Sequence, residues 1–309
     1  MIKGGNKVEA IEYGQTIAVG KRGQPWYRRR GIRRAAYLIL VYALIIPGAI
    51  VLMLPLLTVL STALKEPKQI FAFPPEWIPN PFRWQNFSEA WTGYVDFNLY
   101  MRNSFMVTIS NIIGNLVSCS LAAYGFARLR ARGKEVLFLL VLGTMMVPLW
   151  VTLIPQYVLF SKLDWTNSFL PLMVPPWFGW PFFIFLLRQF FMTIPKDLDD
   201  AARIDGCSTW GILWHIILPL SKPALAAVAV FAFVGNWTNF LGPLVYLQDE
   251  NLYTLPLALQ HFQGEWGDFA RFYHLIMAVT VITMLPIVVI FLLMQRYFVK
   301  GIVMSGVKR

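Results

Sequence analysis

Apolar residues in this chain gather into long uninterrupted runs rather than alternating with polar ones. Six runs lie near residues 36–61, 103–127, 136–160, 169–191, 223–247 and 272–294. A hydrocarbon core about 30 Å thick needs roughly 20 apolar residues as helix. In lipid the backbone must satisfy its own hydrogen bonds, and long runs separated by charged gaps do so as helices rather than as a barrel. The pattern predicts an all-α membrane protein with six transmembrane helices.

Within the runs, polar residues are placed rather than scattered. Ser104, Thr108, Asn111, Asn115 and Ser118 recur at spacings of four and three, so they share one face of the second helix. Such a stripe cannot face lipid cheaply. It either bonds neighbouring helices or lines a water-filled pathway. The fifth run contains GNWTNF (235–240), a polar knot of Asn236, Trp237, Thr238 and Asn239. Amides beside an indole suit hydroxyls and the apolar face of a sugar, and they also suit cross-links between helices. Prolines punctuate the runs, with Pro171, Pro175, Pro176 and Pro181 crowding the fourth. Each removes a backbone donor and bends or breaks a helix.

Charge then gives direction. The chain is 57% hydrophobic and 14% charged, with a net charge of +11. That is too apolar for a water-facing surface. With Arg188 counted in the loop it borders, 21 of the 27 Lys and Arg fall before the first run, after the last, and in alternate gaps between. By the positive-inside rule this puts both termini in the cytoplasm, together with the loop between the fourth and fifth runs. The tract KRGQPWYRRRGIRR (21–34) reads as a headgroup-facing topology anchor rather than a nucleic-acid site. The first thirty residues lack the apolar core of a cleavable signal peptide. The expected organisation is a basic cytoplasmic extension over 1–35 and a transmembrane domain over 36–309. The outer gap 62–102 carries Trp77, Trp84 and Trp91, read as an interfacial belt or a small external lobe. No charged residue lies deep within a run, which argues against a carrier powered by intramembrane ionisable groups.

No catalytic or metal constellation is visible. Cys119 and Cys207 make no disulfide framework. His215, His261 and His274 lack ligand spacing. GQTIAVGKR (14–22) misses the phosphate-loop pattern by one residue and ends in Arg instead of Ser or Thr.

The loop 193–222 is more specific than a connector needs to be. Pro195 suits a helix start, Asp197, Asp199 and Asp200 suit its first turns, and Gly206 suits its stop. Ser208 or Thr209 can cap a second helix, whose apolar face is expected to hold Trp210, Leu213, Trp214 and Ile217. Asp200, Ala201 and Ala202 stand three residues before Gly206. Nine residues later come Ile216, Leu218 and Pro219.

This spacing resembles the EAA loop of permease subunits in binding-protein-dependent ATP-binding-cassette importers. Asp200 stands where the pattern has Glu, which keeps the carboxylate but shortens its reach by one methylene. The stretches 144–160, 167–175, 236–247 and 295–309 resemble the carbohydrate branch, and most of all the shorter six-span permease of maltose-type systems. The resemblance implies that the loop is a coupling helix docked on a separate ATPase, with Asp200, Ala201, Ala202, Asp205, Gly206, Ile216, Leu218 and Pro219 carrying that role. It implies a heterodimer with a second permease, an ATPase dimer that uses ATP and Mg, an extracytoplasmic solute-binding protein, and a place in the bacterial inner membrane. This chain would then be no enzyme, hold no cofactor of its own, and bind membrane lipid but no nucleic acid. Asn236, Trp237 and Asn239, then Asn111 and Asn115, are the candidates for contact with a sugar. A peptide, polyamine or ion cargo, or a self-standing carrier, are the competing readings.

Overall fold

The computed structural model describes residues 30–93, 95–265 and 269–306. The basic tract before residue 30 and Asp268 lie outside them, as do the side chains of Glu265, Arg271 and the tail from 296 onward. All regular structure among the described residues is helical. The longer helices are α1 (Arg30–Ala63), α2 (Phe97–Arg128), α3 (Lys134–Thr144), α4 (Leu149–Lys162), α5 (Pro181–Thr193), α6 (Asp197–Ile204), α7 (Lys222–Trp237), α8 (Leu255–Glu265) and α9 (Phe269–Gly306). The chain divides into two units, 1–56 and 57–309. The described part of the first unit is helix, continuous through Pro47, and Pro55 is likewise inside α1.

Four of the apolar runs form helical segments long enough to cross a membrane, and the count reaches six if each of two bent helix pairs is one crossing. The third run is such a pair. α3 and α4 meet at 96°, where a single span was expected. The cause is local. Pro148 is extended at ψ 141° and starts α4, so the helix cannot run through it. The second bent pair sets the loop segment 209–220 at 78° to α7. The fifth run is also divided. α7 ends at Trp237, and a separate short helix covers Leu241–Tyr246.

The prolines of the fourth run act as expected. They leave a turn of helix at Leu170–Met173 and a tight 3-10 turn at Pro175–Phe178, and α5 begins at Pro181. Gly179 makes the break at φ +93°, where a side chain would be strained.

In the second unit α2 is the central helix, packed against α5, α7 and the 175–178 turn. One core joins Cys119 and Ala123 of α2 to Leu187 and Phe191 of α5 and to Ile212, Leu213 and Ile217 of the loop. A second joins Ala63, Ala90 and Phe97 to Phe262 of α8 and Leu275 and Val279 of α9. The segment 62–102 forms a lobe around Asn86, which is fully buried and donates to the carbonyls of Ala63 and Lys65 at 2.9 and 2.8 Å. Trp91 belongs to this lobe, stacked on Phe97. Trp77 and Trp84 are exposed.

Candidate functional site

Two places collect the residues singled out by sequence. The first is the loop between α5 and α7. The first turn of α6 holds Asp197, Asp199 and Asp200, whose charge complements the helix dipole. The helix stops in a Schellman turn. Gly206 stands at φ +83°, its N–H donates to the Arg203 carbonyl at 3.0 Å, and the Cys207 N–H donates to the Ala202 carbonyl at 2.8 Å. Ser208 Oγ then accepts from the Gly211 N–H at 3.2 Å, capping a short helix at Thr209–Ile212. A π turn at Leu213–Ile217 follows.

The buried face differs from the expected one. Leu213 and Ile217 are buried, but their companion is Ile212. Trp210 and Trp214 are 64% and 59% exposed. Asp200, Ala201, Asp205, Gly206 and Pro219 are also exposed, whereas Ala202 is buried and Ile216 and Leu218 are half-buried against the core. The motif therefore divides into an outward ridge and an inward root.

The root is polar as well as apolar. Asp199 lies 3.5 Å from the Arg128 guanidinium at the end of α2, with side chains 8% and 2% exposed. Arg128 also donates to the carbonyls of Phe191 and Ile194 at 2.7 Å each. Tyr124, one turn earlier on α2, donates to the Thr209 carbonyl at 3.1 Å.

The second place is a cavity of about 520 Å³ lined by α2, α4, α5, α7 and the fourth run. Asn111, Asn115, Asn236 and Asn239 all reach it, joined by Gln156 and Tyr246. Its apolar lining includes Trp180, Phe182, Phe183 and Phe231, and no charged side chain lines it. Asn111 donates to the Val107 and Leu172 carbonyls, and Asn115 and Asn236 bond back to Asn111 and Ala232 of their own helices. Asn239 Oδ1 accepts from the Gly242 N–H. These bonds fix the amides in place. The Tyr246 hydroxyl is buried and has no hydrogen-bond partner among the described residues.

Trp237 is not in this cavity. It is 3% exposed, packs on Phe233 and Phe105, and donates to the Thr283 carbonyl of α9 at 3.0 Å. Residue 237 falls on a different face of α7 from Asn236, since adjacent helical residues point about 100° apart. The polar stripe of α2 also divides. Ser104 accepts from the Leu255 N–H at the start of α8, and Ser118 donates to the Pro176 carbonyl, so both bond helices or turns. Asn111 does this through the Leu172 carbonyl and lines the cavity too, while Asn115 bonds within α2 and lines the cavity.

Sequence reasoning missed Arg128 and Tyr124 at the loop, and Gln156, Trp180 and Tyr246 at the cavity; it placed Asp199 in the first turn of the loop helix but not its pairing with Arg128. An arginine ending an apolar run four residues after a tyrosine was the available signal for the first group. Arg188, within α5, pairs with Glu135 of α3 at 3.0 Å and lies 4.0 Å over the Phe138 ring. No group of His, Cys, Asp and Glu among the described residues is arranged to hold a metal.

Residues 114–304 match the family model of the inner membrane component of binding-protein-dependent transport systems. The chain belongs to this family. Its members include the arabinooligosaccharides transport system permease protein AraQ of Halalkalibacterium halodurans, 35% identical over 74% of this chain and 81% of AraQ. The sn-glycerol-3-phosphate transport system permease protein UgpE of Yersinia pestis is 33% identical over 86% of this chain and 96% of its own. In fold, the chain resembles one chain of a bacterial ABC transporter involved in the import of the acidic polysaccharide alginate. The TM-score is 0.76 at 21% identity, covering 89% of this chain and all of that one. Family membership and the apolar helices make this a multi-pass inner membrane permease of an ABC transport system.

Proposed function

We propose that this chain forms half of the translocation pathway of an ATP-driven sugar importer. Both termini and the loop 193–222 face the cytoplasm, where the excess of Lys and Arg lies. The loop docks through its exposed ridge of Asp200, Ala201, Asp205 and Gly206 onto a separate ATPase dimer, which supplies ATP hydrolysis with Mg. Ala202, Ile216 and Leu218 root that ridge in the helices, and Pro219 stays exposed beside it. A second permease completes the pathway, and a solute-binding protein delivers cargo from outside.

The uncharged, amide- and aromatic-lined cavity carries the cargo assignment. Hydroxyls find partners in Asn111, Asn115, Asn236, Asn239 and Gln156, and the apolar sugar face finds Trp180 and Phe182. A polyamine or metal ion would meet no carboxylate there and would lose its hydration uncompensated. The relatives named for arabinooligosaccharides and sn-glycerol-3-phosphate support a carbohydrate-like cargo. The test is uptake of labelled sugars and of a labelled polyamine into inside-loaded ATP proteoliposomes holding the complete assembly. ATP-dependent sugar entry without polyamine entry is expected. ATP-dependent polyamine entry, or sugar entry driven by this chain alone without ATP, would overturn the proposal.

A further inference from the structure

Asp199 and Asp200 are adjacent in sequence and face opposite ways. Asp200 is exposed, whereas Asp199 is turned into the protein against Arg128. Among the residues of α6 only Asp199 and Ala202 are buried. Ala202 offers one methyl group, so the hold of α6 on the rest of the protein rests largely on the Asp199 carboxylate.

Arg128 is placed to pass that hold onward. It is the last residue of α2, and it satisfies the carbonyls of Phe191 and Ile194. These lie at the end of α5, where carbonyls run short of intrahelical donors, although the Phe191 carbonyl also accepts from the Ile194 N–H at 3.3 Å. One guanidinium thus joins three segments: the end of α2, the end of α5 and the first turn of α6. A planar guanidinium spreads its donors in a fixed fork, so it holds these acceptors at set directions. Both joined helices reach the cavity. Asn115 lies 13 residues back along α2 from Arg128, about 20 Å at 1.5 Å per residue, and Phe182 and Phe183 begin α5.

The pair also has slack. Arg128 Nε and Asp199 Oδ1 are buried and have no partner among the described residues. The contact they flank is a single one at 3.5 Å.

We infer that Arg128 and Asp199 form the joint through which movement of α6 is delivered to α2 and α5. They act as positioning residues for transport, and Tyr124 adds a second tie at Thr209. The inference rests on the permease reading, with Asp200 facing the ATPase and Asp199 facing the helices.

The test uses the assembly that co-purifies with this chain, reconstituted in proteoliposomes. Sugar uptake and ATP hydrolysis are measured together, each normalised to assembled complex. Asp199→Asn keeps the shape of the carboxylate and removes its charge. Arg128→Met with Asp199→Leu removes both charges and leaves no buried ion alone. Asp197→Asn, an exposed acid in the same turn, is the control. The joint predicts that both joint variants assemble and hydrolyse ATP while sugar moved per ATP falls at least tenfold, with the control unchanged. A purely structural pair would lower the amount of assembly and leave sugar per ATP unchanged, and that result would overturn the inference. So would failure of both joint variants to assemble while the control does, since the pair would then serve folding alone. If the unmodified assembly moves no sugar with ATP, the permease reading itself fails.

Discussion

Cys207 donates its N–H to the Ala202 carbonyl at 2.8 Å, reaching back across Gly206. The bond exists because Gly206 holds φ +83°, and it fixes where α6 ends and the next helix begins. A Cβ at 206 would meet nothing within 4 Å. A side chain therefore costs only backbone strain, about 1 kcal/mol, and the fold tolerates it. Gly206→Asp is expected to reach the membrane in normal amount and to abolish ATP-driven uptake, by bending the ridge and adding charge to it. Immunoblots of membrane fractions beside uptake rates check this. Normal uptake would sink the coupling role of the loop.

Gly114 faces the Trp177 ring. A Cβ there would lie 2.9 Å from Trp177 Cδ1. Trp177 belongs to the 3-10 turn that packs on α2, so a rigid ring must move as a whole. Gly114→Val is expected to destabilise by about 1–3 kcal/mol, as overpacking does. A lowered thermal midpoint in detergent would show it, and an unchanged midpoint would mean the turn yields freely.

Trp237 separates packing from pathway. Trp237→Phe keeps most of the ring volume against Phe233 and loses the bond to the Thr283 carbonyl. The expected cost is about 1 kcal/mol of stability, with uptake retained. Uptake lost at unchanged stability would return Trp237 to the pathway.

Asn236 lines the cavity on a different face of α7. Asn236→Asp conserves shape and places a carboxylate where no other charge lies. Desolvating it beside a neutral cargo is costly. Sugar uptake is expected to fall at least tenfold with assembly intact, and Asn236→Gln to fall less. Equal uptake by both variants would show that cargo passes elsewhere.

Helix class, the six apolar runs and the loop punctuation were legible because each follows from local chemistry. Length sets a span, Pro starts or breaks a helix, and Gly at φ > 0 stops one. Two things were not legible. The 96° break between α3 and α4 comes from the extended backbone at Pro148, which a hydropathy run does not encode. The inward turn of Asp199 depends on Arg128, 71 residues earlier in sequence. A periodic pattern finds the face of a helix but not its partner. The same limit misplaced Trp237, whose neighbours in GNWTNF belong to a different side of the helix, and Trp210 and Trp214, which are exposed while Ile212 joins Leu213 and Ile217 in the core. The amides Asn111, Asn115, Asn236 and Asn239 were found by composition, and the fold brings them to one cavity.

The central claim is that this chain works as one subunit of an ATP-coupled assembly. Gentle detergent extraction from the native membrane, purification through this chain and identification of the co-purifying proteins by mass tests it most directly. The account predicts a second multi-span permease and a soluble ATPase in stoichiometric amounts. Recovery of the chain alone, or only with copies of itself, would leave the ridge of Asp200, Ala201 and Gly206 without a docking partner and would contradict the account.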